Sequence, residues 1–308
     1  MTSTIDTPAF QRAIAELSVI PAAIELLRDD PEAFRARYEL DAAQVQALVD
    51  AGLERFLEFA EDLLYKRLTL IQKFSPALIE LLMRRDDFGP LFREFARLHP
   101  SRNVAEVPHK VVRDCQWFHA HVGAWAEARD DAGPHLAPVL AFERVQGELL
   151  ADEQAAASAR ACAERNLRLA HALGADEGIV PALRPVLGQH HRFVTFPCDI
   201  VDLVRRVTEK LELPEQPAPP PTTLMVAREP GRRSIRYIRV NERTRWLLER
   251  CDGERNVAEL VRDFRQTWSP QLPDAAVFDG VWRLLSGVRA MDMLSFEIPP
   301  AAPVGAPN

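Results

Sequence analysis

The chain has 308 residues, of which 47% are hydrophobic, and a formal net charge of −7. That length suggests two domains with enough apolar material for packed cores. The acidic balance excludes a molecule that holds nucleic acid or an anionic membrane through its overall charge.

No apolar run approaches the roughly 20 residues that a membrane span needs. The opening MTSTIDTPAF has neither the basic region nor the apolar core of a signal peptide. Cys115, Cys162, Cys198 and Cys251 are widely spaced and form no C-x-x-C pair, which argues against a zinc site or a disulfide framework. The expectation is a soluble, cytoplasmic protein in a reducing compartment.

In chain order, Pro21 and Pro31 stand at favoured first-turn positions of two short helices. Asp41 can cap a long helix through VQALVDAGLERFLEFAEDLLYKRLTLIQKF, in which Val45, Leu48, Val49, Leu53, Phe56, Leu57, Ala60 and Leu64 follow the spacing of a buried face. Ser75-Pro76 opens another helix. Further helices are expected across 86–98, 108–129 and 134–170. ALRPVLGQHHRFVTFPCD alternates and favours one or two short strands, and Asp199 caps a final amphipathic helix. The prolines of LPEQPAPPPTT, residues 213–223, forbid helix and are read as a semi-rigid linker.

After that stretch, LMVAREP-GRRSIRYIRV reads as a hairpin turning at Pro230-Gly231. Asn241 caps the next helix, and Gly253 stands where a left-handed residue would end it. A second helix carries Val257, Leu260, Val261 and Phe264. A third covers about Asp274 to Val288, and MLSFEI is a last short strand. The expected fold class is α+β: a mostly α-helical domain over 1–212, the linker, a small winged-helix domain over 224–298, and a disordered tail over 299–308.

Val240, Asn241, Thr244, Leu248, Asp252, Gly253, Val257, Leu260 and Val261 form a pattern that resembles the PqqD-like peptide-recognition domain. Arg245, Asn256 and the AMDML ending of the third helix depart from it. A second stretch, DDFGPLFREFARLHPSRN and then PHLAPVLAFERVQGEL, resembles the helical domain of partner proteins of multinuclear non-haem iron oxidases. It rests on Phe88, Phe92, His99, Pro100, Leu136, Leu140, Phe142 and Glu143. The combination is similar to partner subunits of methanobactin and thiaglutamate pathways. The resemblance implies a subunit that holds the leader of a ribosomally made precursor peptide and docks on an iron-dependent TIM-barrel oxidase. Iron is then expected in that enzyme, with no cofactor in this chain.

The residues also carry a reading apart from that resemblance. The third helix carries Arg283 and Arg289 but also Asp274 and Asp279, and no Lys, Asn or Gln, so base readout is not supported. Arg228, Arg232, Arg233, Arg236 and Arg239 leave a phosphate-binding wing open, and a winged-helix DNA-binding regulator is the alternative reading. The third helix has two apolar stripes, Val277, Val281, Leu284 and Val288, and Phe278, Trp282 and Leu285. One stripe suffices for a core.

A peptide groove is therefore expected along Ile235, Arg236, Tyr237, Ile238, Arg239 and Val240, floored by Phe278, Trp282 and Leu285, with the peptide adding as a strand. The stripe Trp117, His121 and Trp125 reads as core or interface, and Glu143 as a buried polar residue or a subunit contact; these four are the expected partner-interface residues. His119 and His121 face different ways, as do His190 and His191. No motif for catalysis or metal binding is present, so no catalytic or metal-ligating residue is assigned. A third possibility is an enzyme whose site lies in the helical domain.

Overall fold

The computed structural model describes residues 7–99, 110–173, 177–232 and 234–298. The expected tail over 299–308 and Arg233 lie outside them. The chain forms two compact units, one of 1–140 with 207–211, the other of 141–206 with 212–308.

The first unit is helical: α1 (Pro8–Leu17), α2 (Pro21–Asp29), α3 (Pro31–Tyr38), α4 (Ala42–Asp50), α5 (Leu53–Phe74), α6 (Pro76–Leu82), α7 (Phe88–Leu98), α8 (Lys110–Glu127) and the start of α9 (Leu136–Ala151). Proline opens α1, α2, α3 and α6. There its missing N–H costs nothing, because the first helical donors have no intrahelical acceptor. Asp30 and Asp41 accept from Ala33 N and Gln44 N at 2.9 and 2.7 Å, and Gln44 returns a bond to the Asp41 backbone, completing a capping box.

The single long helix expected from Asp41 onward is two helices. Gly52 sits at φ 90°, a conformation other residues rarely adopt, and it breaks the run between α4 and α5. Phe10, Leu17, Ile24, Leu27, Phe34, Tyr38 and Leu48 form the core over α1–α4. A second centre lies between α5 and α8. There Arg67 meets Asp114 through two nitrogens at 3.0 and 3.2 Å. It also donates to His99 O at 2.6 Å and lies 4.5 Å from the Phe95 ring centroid.

The second unit contains the rest of α9, α10 (Glu153–Leu173), a 3-10 turn (Glu177–Ala182), β1 (Arg184–Leu187), β2 (His191–Phe196), α11 (Ile200–Thr208, whose end belongs to the first unit), β3 (Thr222–Arg228), β4 (Ile235–Arg239), α12 (Glu242–Leu248), α13 (Val257–Trp268), α14 (Asp274–Ala290) and β5 (Leu294–Glu297). The helix expected over 134–170 is divided at Asp152, whose carboxylate caps α10 by accepting from Gln154 N and Ala155 N at 2.8 and 3.0 Å.

Two antiparallel sheets form: β2-β3-β4 and β1-β5. The Pro-rich stretch 213–223 therefore does not separate domains. It connects α11 to β3, and β3 pairs with β2 from before the stretch, Phe196 facing Thr222 and His191 facing Ala227. MLSFEI likewise pairs with β1, Arg184 facing Glu297, rather than with the hairpin. The result is a mixed α+β fold.

Strand β3 is buried on both faces. Met225 and Ala227 join the core made with Val240, Leu247, Leu248, Leu260, Val281 and Leu285. Leu224 and Val226, on the opposite face, are also fully buried. Arg228 ends the strand and donates to Leu149 O, Leu150 O and Asp152 O at 3.3, 2.9 and 3.0 Å. This is a cation at the carbonyl end of α9, where the helix dipole favours it. The arginine is thus a structural clamp and not part of a phosphate-binding wing.

A buried histidine joins the two sheets. His190 Nε2 contacts Asp292 O at 2.9 Å. A carbonyl only accepts, so the proton sits on Nε2; Nδ1 faces Ser158 Oγ at 3.3 Å. Burial pushes the His190 pKa below 6.5, against the pull of the Asp292 carbonyl. The neighbouring His191 is also lowered by burial. An imidazole kept neutral in the fold contributes stability above its unfolded pKa and loses it as the pH falls below that value. The urea midpoint of the chain is therefore expected to fall between pH 7.5 and pH 5.5. In His190→Asn the fall should be shallower; an equal fall would assign the pH dependence elsewhere.

Candidate functional site

The hairpin places β4 at the edge of its sheet. Val240 N donates to Thr223 O and Glu229 N to Ser234 O, both at 3.0 Å. These bonds set the phase of the β3–β4 ladder. In an antiparallel pair, bonded and outward-pointing residues alternate. Ser234, Arg236, Ile238 and Val240 thus turn their main-chain groups toward β3. The N–H and C=O of Ile235, Tyr237 and Arg239 point outward, and no described residue pairs with them.

Side chains alternate with the same period. Ile238 and Val240 pack into the core, whereas the Tyr237 ring lies edge-on to Phe142 of α9 at 5.4 Å. Tyr237 remains 38% exposed. Arg236 pairs with Glu229, and Arg239 pairs with Asp199 at 2.8 Å. Asp199 also caps α11 through Asp202 N at 3.0 Å. The strand's two arginines, expected at the rim of a peptide groove, already have acidic partners.

Where β4 ends, a groove begins. Asn241 caps α12 by accepting from Thr244 N at 2.8 Å. Together with Arg243, Thr244 and Leu247 it forms one wall of a cavity of about 280 Å³. Phe264, Ser269 and Leu272 also line it, with Ala276, Val277, Gly280, Val281 and Leu284 of α14. The lining is mostly apolar, as small-molecule and side-chain pockets usually are.

Helix α14 distributes its apolar residues differently from the two stripes expected. Val277, Val281, Leu285 and Val288 are buried. At about 100° per residue they span one arc of the helix, so Leu285 belongs to the core and cannot floor a groove. Leu284 flanks that arc on the groove side. Phe278 and Trp282 flank it on the other, where Trp282 packs on Phe296 of β5 with centroids 5.4 Å apart. Trp282 thus braces the β1–β5 sheet. The groove-lining residues Asn241, Arg243, Thr244, Leu247, Phe264 and Leu284 were not assigned from sequence. The N-cap motif at Asn241 and the small residues Ala276 and Gly280 were the available signals.

The expected partner-interface residues fall in both units and have different surroundings. In the first unit Trp117 is 41% exposed and stacks on His99 at 5.6 Å, so it does present an aromatic face. His121 lies against Phe95 at 5.8 Å. The Trp125 ring has the Arg85 and Arg129 guanidinium groups at 5.0 and 5.1 Å from its centroid, so cations of its own unit already occupy it. Glu143 belongs to the second unit and is buried, so it is not a surface contact. A cleft of about 230 Å³ in the first unit lies elsewhere, between Leu64, Tyr65 and Leu68 of α5 and Phe88 and Phe92 of α7.

Among the described residues no group of three or more His, Cys, Asp or Glu side chains could hold a metal ion, and no helix is long and apolar enough to cross a membrane. The four cysteines are buried, and burial raises the Cys162 thiol to about 11, far from the thiolate a nucleophile needs. No protein-family model and no curated protein matches the chain.

Proposed function

We propose that this protein is a non-catalytic recognition subunit that holds the leader of a ribosomally synthesised precursor peptide for an iron-dependent, TIM-barrel peptide-modifying oxidase. The observation that carries the peptide reading is the unpaired edge of β4, with outward main-chain groups at Ile235, Tyr237 and Arg239, leading into the apolar groove beside Leu284. An extended segment adding to that edge gains main-chain bonds along β4 and places a side chain in the groove. On this reading the hairpin with α12–α14 acts as a PqqD-like winged helix, and the exposed Trp117 contributes to docking on the oxidase. Iron chemistry belongs to that enzyme, and this chain supplies binding alone.

The test is a titration of the purified chain with synthetic leader peptides and, separately, with duplex DNA. Saturable peptide binding with no specific DNA binding is the expected result; the reverse sinks the proposal. Within the peptide series, Leu284→Asp should weaken binding at least tenfold, because it puts a carboxylate into an apolar groove. Trp282→Ala should behave differently. It removes the brace on Phe296 and lowers stability by roughly 2–3 kcal/mol, while the folded fraction keeps its affinity within about threefold. Denaturant melts and titrations of both variants separate the two effects. Loss of affinity in folded Trp282→Ala with none in Leu284→Asp would move the groove to the opposite flank of α14.

A further inference from the structure

A second strand edge lies at the other sheet. Gly188 N donates to Met293 O, which fixes the phase of the β1–β5 ladder: Ser295 and Glu297 bond to β1, and Leu294 and Phe296 turn their main-chain groups away from it. On the outward side of β1, Leu187 N donates to Cys251 O at 2.6 Å and Pro185 O accepts from Gly253 N at 3.0 Å. On β5, Leu294 O accepts from Asn166 Nδ2 at 3.0 Å. Phe296 is different. It is only 3% exposed, yet no described residue pairs with its outward N–H and C=O. Buried main-chain groups are rarely left unpaired, since each costs about as much as a lost hydrogen bond.

The edge at Phe296 opens into a groove of about 320 Å³, walled by Arg165, Arg168 and Leu169 of α10 and by Phe296, Glu297 and Ile298. Arg165 is fixed by a bond from its Nε to Ser295 Oγ at 2.8 Å, and no ion-pair partner of Arg165 is found among the described residues. Arg168 lies 3.9 Å from Glu164, with both side chains mostly exposed, a contact that contributes little. The Glu297 carboxylate is directed toward Gly253, on the β1 side. The helix wall of the groove is therefore positive, and its floor is apolar.

We propose that this groove is a second docking site, which takes an extended acidic segment of another protein chain. The segment adds as a strand beside β5, satisfying the Phe296 N–H and C=O, and its carboxylates meet Arg165 and Arg168. The chain's own continuation past Ile298, PPAAPVGAPN, is a poor occupant because it carries no acidic side chain to meet Arg165 and Arg168. The proposal stands apart from the peptide reading of β4, because the two edges are different strands.

The probe is a fluorescein-labelled Glu-Val-Glu-Val-Glu-Val peptide titrated against the full chain by anisotropy, with hydrogen exchange followed over 294–298 and 235–239. The expected result is saturable binding that slows exchange over 294–298 and leaves 235–239 unchanged. Arg168→Glu should weaken binding at least fivefold, and a Lys-Val-Lys-Val-Lys-Val peptide should not bind. A chain ending at Ile298 should bind equally well; a tenfold gain on truncation would make the chain's own tail the occupant and overturn the proposal. Absence of saturable binding, indifference to Arg168→Glu, or protection confined to 235–239 would overturn it as well. Only the last of these would bear on β4, and it would favour the peptide reading there.

Discussion

Tyr237→Pro is expected to weaken the proposed leader binding about ten- to thirtyfold in a chain that still folds, whereas Ile238→Pro is expected to destabilise the fold itself. The adjacent positions differ because the β3–β4 ladder alternates. The Tyr237 N–H points out of the sheet, so proline there removes a donor that only an added strand would use. Edge strands tolerate proline on that side. One lost main-chain bond, about 1–1.5 kcal/mol, together with the bulk of the ring against the incoming strand, gives the stated range. The Ile238 N–H instead faces Met225 across the ladder. Removing it strands a buried carbonyl, at about 1–3 kcal/mol, and losing the half-buried isoleucine adds about 1–2 kcal/mol. Tyr237→Thr is the control, since it keeps the N–H and a strand-favouring side chain while giving up the Phe142 contact; its affinity should stay within about threefold. Titrations and urea melts of all three decide the matter. Equal leader affinity in Tyr237→Pro and the unaltered chain would exclude strand addition at β4.

The local signals in the sequence were strong where the physics is local. Proline at the first turn, Asp41 and Asn241 as caps and the Pro230-Gly231 turn each depend on a few adjacent residues, and each stands in the structure as its chemistry requires. Gly253 does take a positive φ, 86°, but in the turn before α13: α12 ends at Leu248 with Glu249 as a right-handed cap. The edge strand of the candidate site was legible for the same reason: a hairpin's register follows from its turn. What the sequence did not show depends on contacts between distant residues. Nothing in LPEQPAPPPTT indicates that β2 crosses it to pair with β3, because prolines report only that the stretch itself is not helical. Nor does MLSFEI name β1 as its partner.

The groove was half legible. Periodicity showed that α14 carries more apolar surface than one core face needs. It could not show that Leu285 falls inside the buried arc and Leu284 on its groove-side flank, because a one-residue choice at the edge of a stripe is made by the neighbours, here α12 on one side and β5 on the other. Gly52 is the converse case: a single residue able to adopt φ 90° divided a run whose apolar spacing continued unbroken on both sides.

The first unit is expected to depend most on one buried pair. Arg67→Met should destabilise it by about 3–5 kcal/mol, since removing one partner of a buried ion pair leaves the other charge uncompensated. Asp114 would then keep a carboxylate in a site where its side chain is only 9% exposed. The His99 carbonyl would also lose the 2.6 Å bond from Arg67 Nη1, and Phe95 its cation. Replacing both partners in Arg67→Met/Asp114→Leu should recover much of the loss, because two apolar side chains of similar bulk leave no charge buried. A double-mutant cycle with Asp114→Leu alone, read by urea unfolding, measures the coupling. A single-variant loss below about 1 kcal/mol would place this pair among contacts that are screened by solvent. The outcome also bears on docking. Arg67 anchors α5 to α8 and fixes the His99 backbone, and the His99 ring is the one on which Trp117 stacks. A chain that folds without the pair but no longer engages the proposed oxidase partner would locate the docking surface around Trp117 of α8.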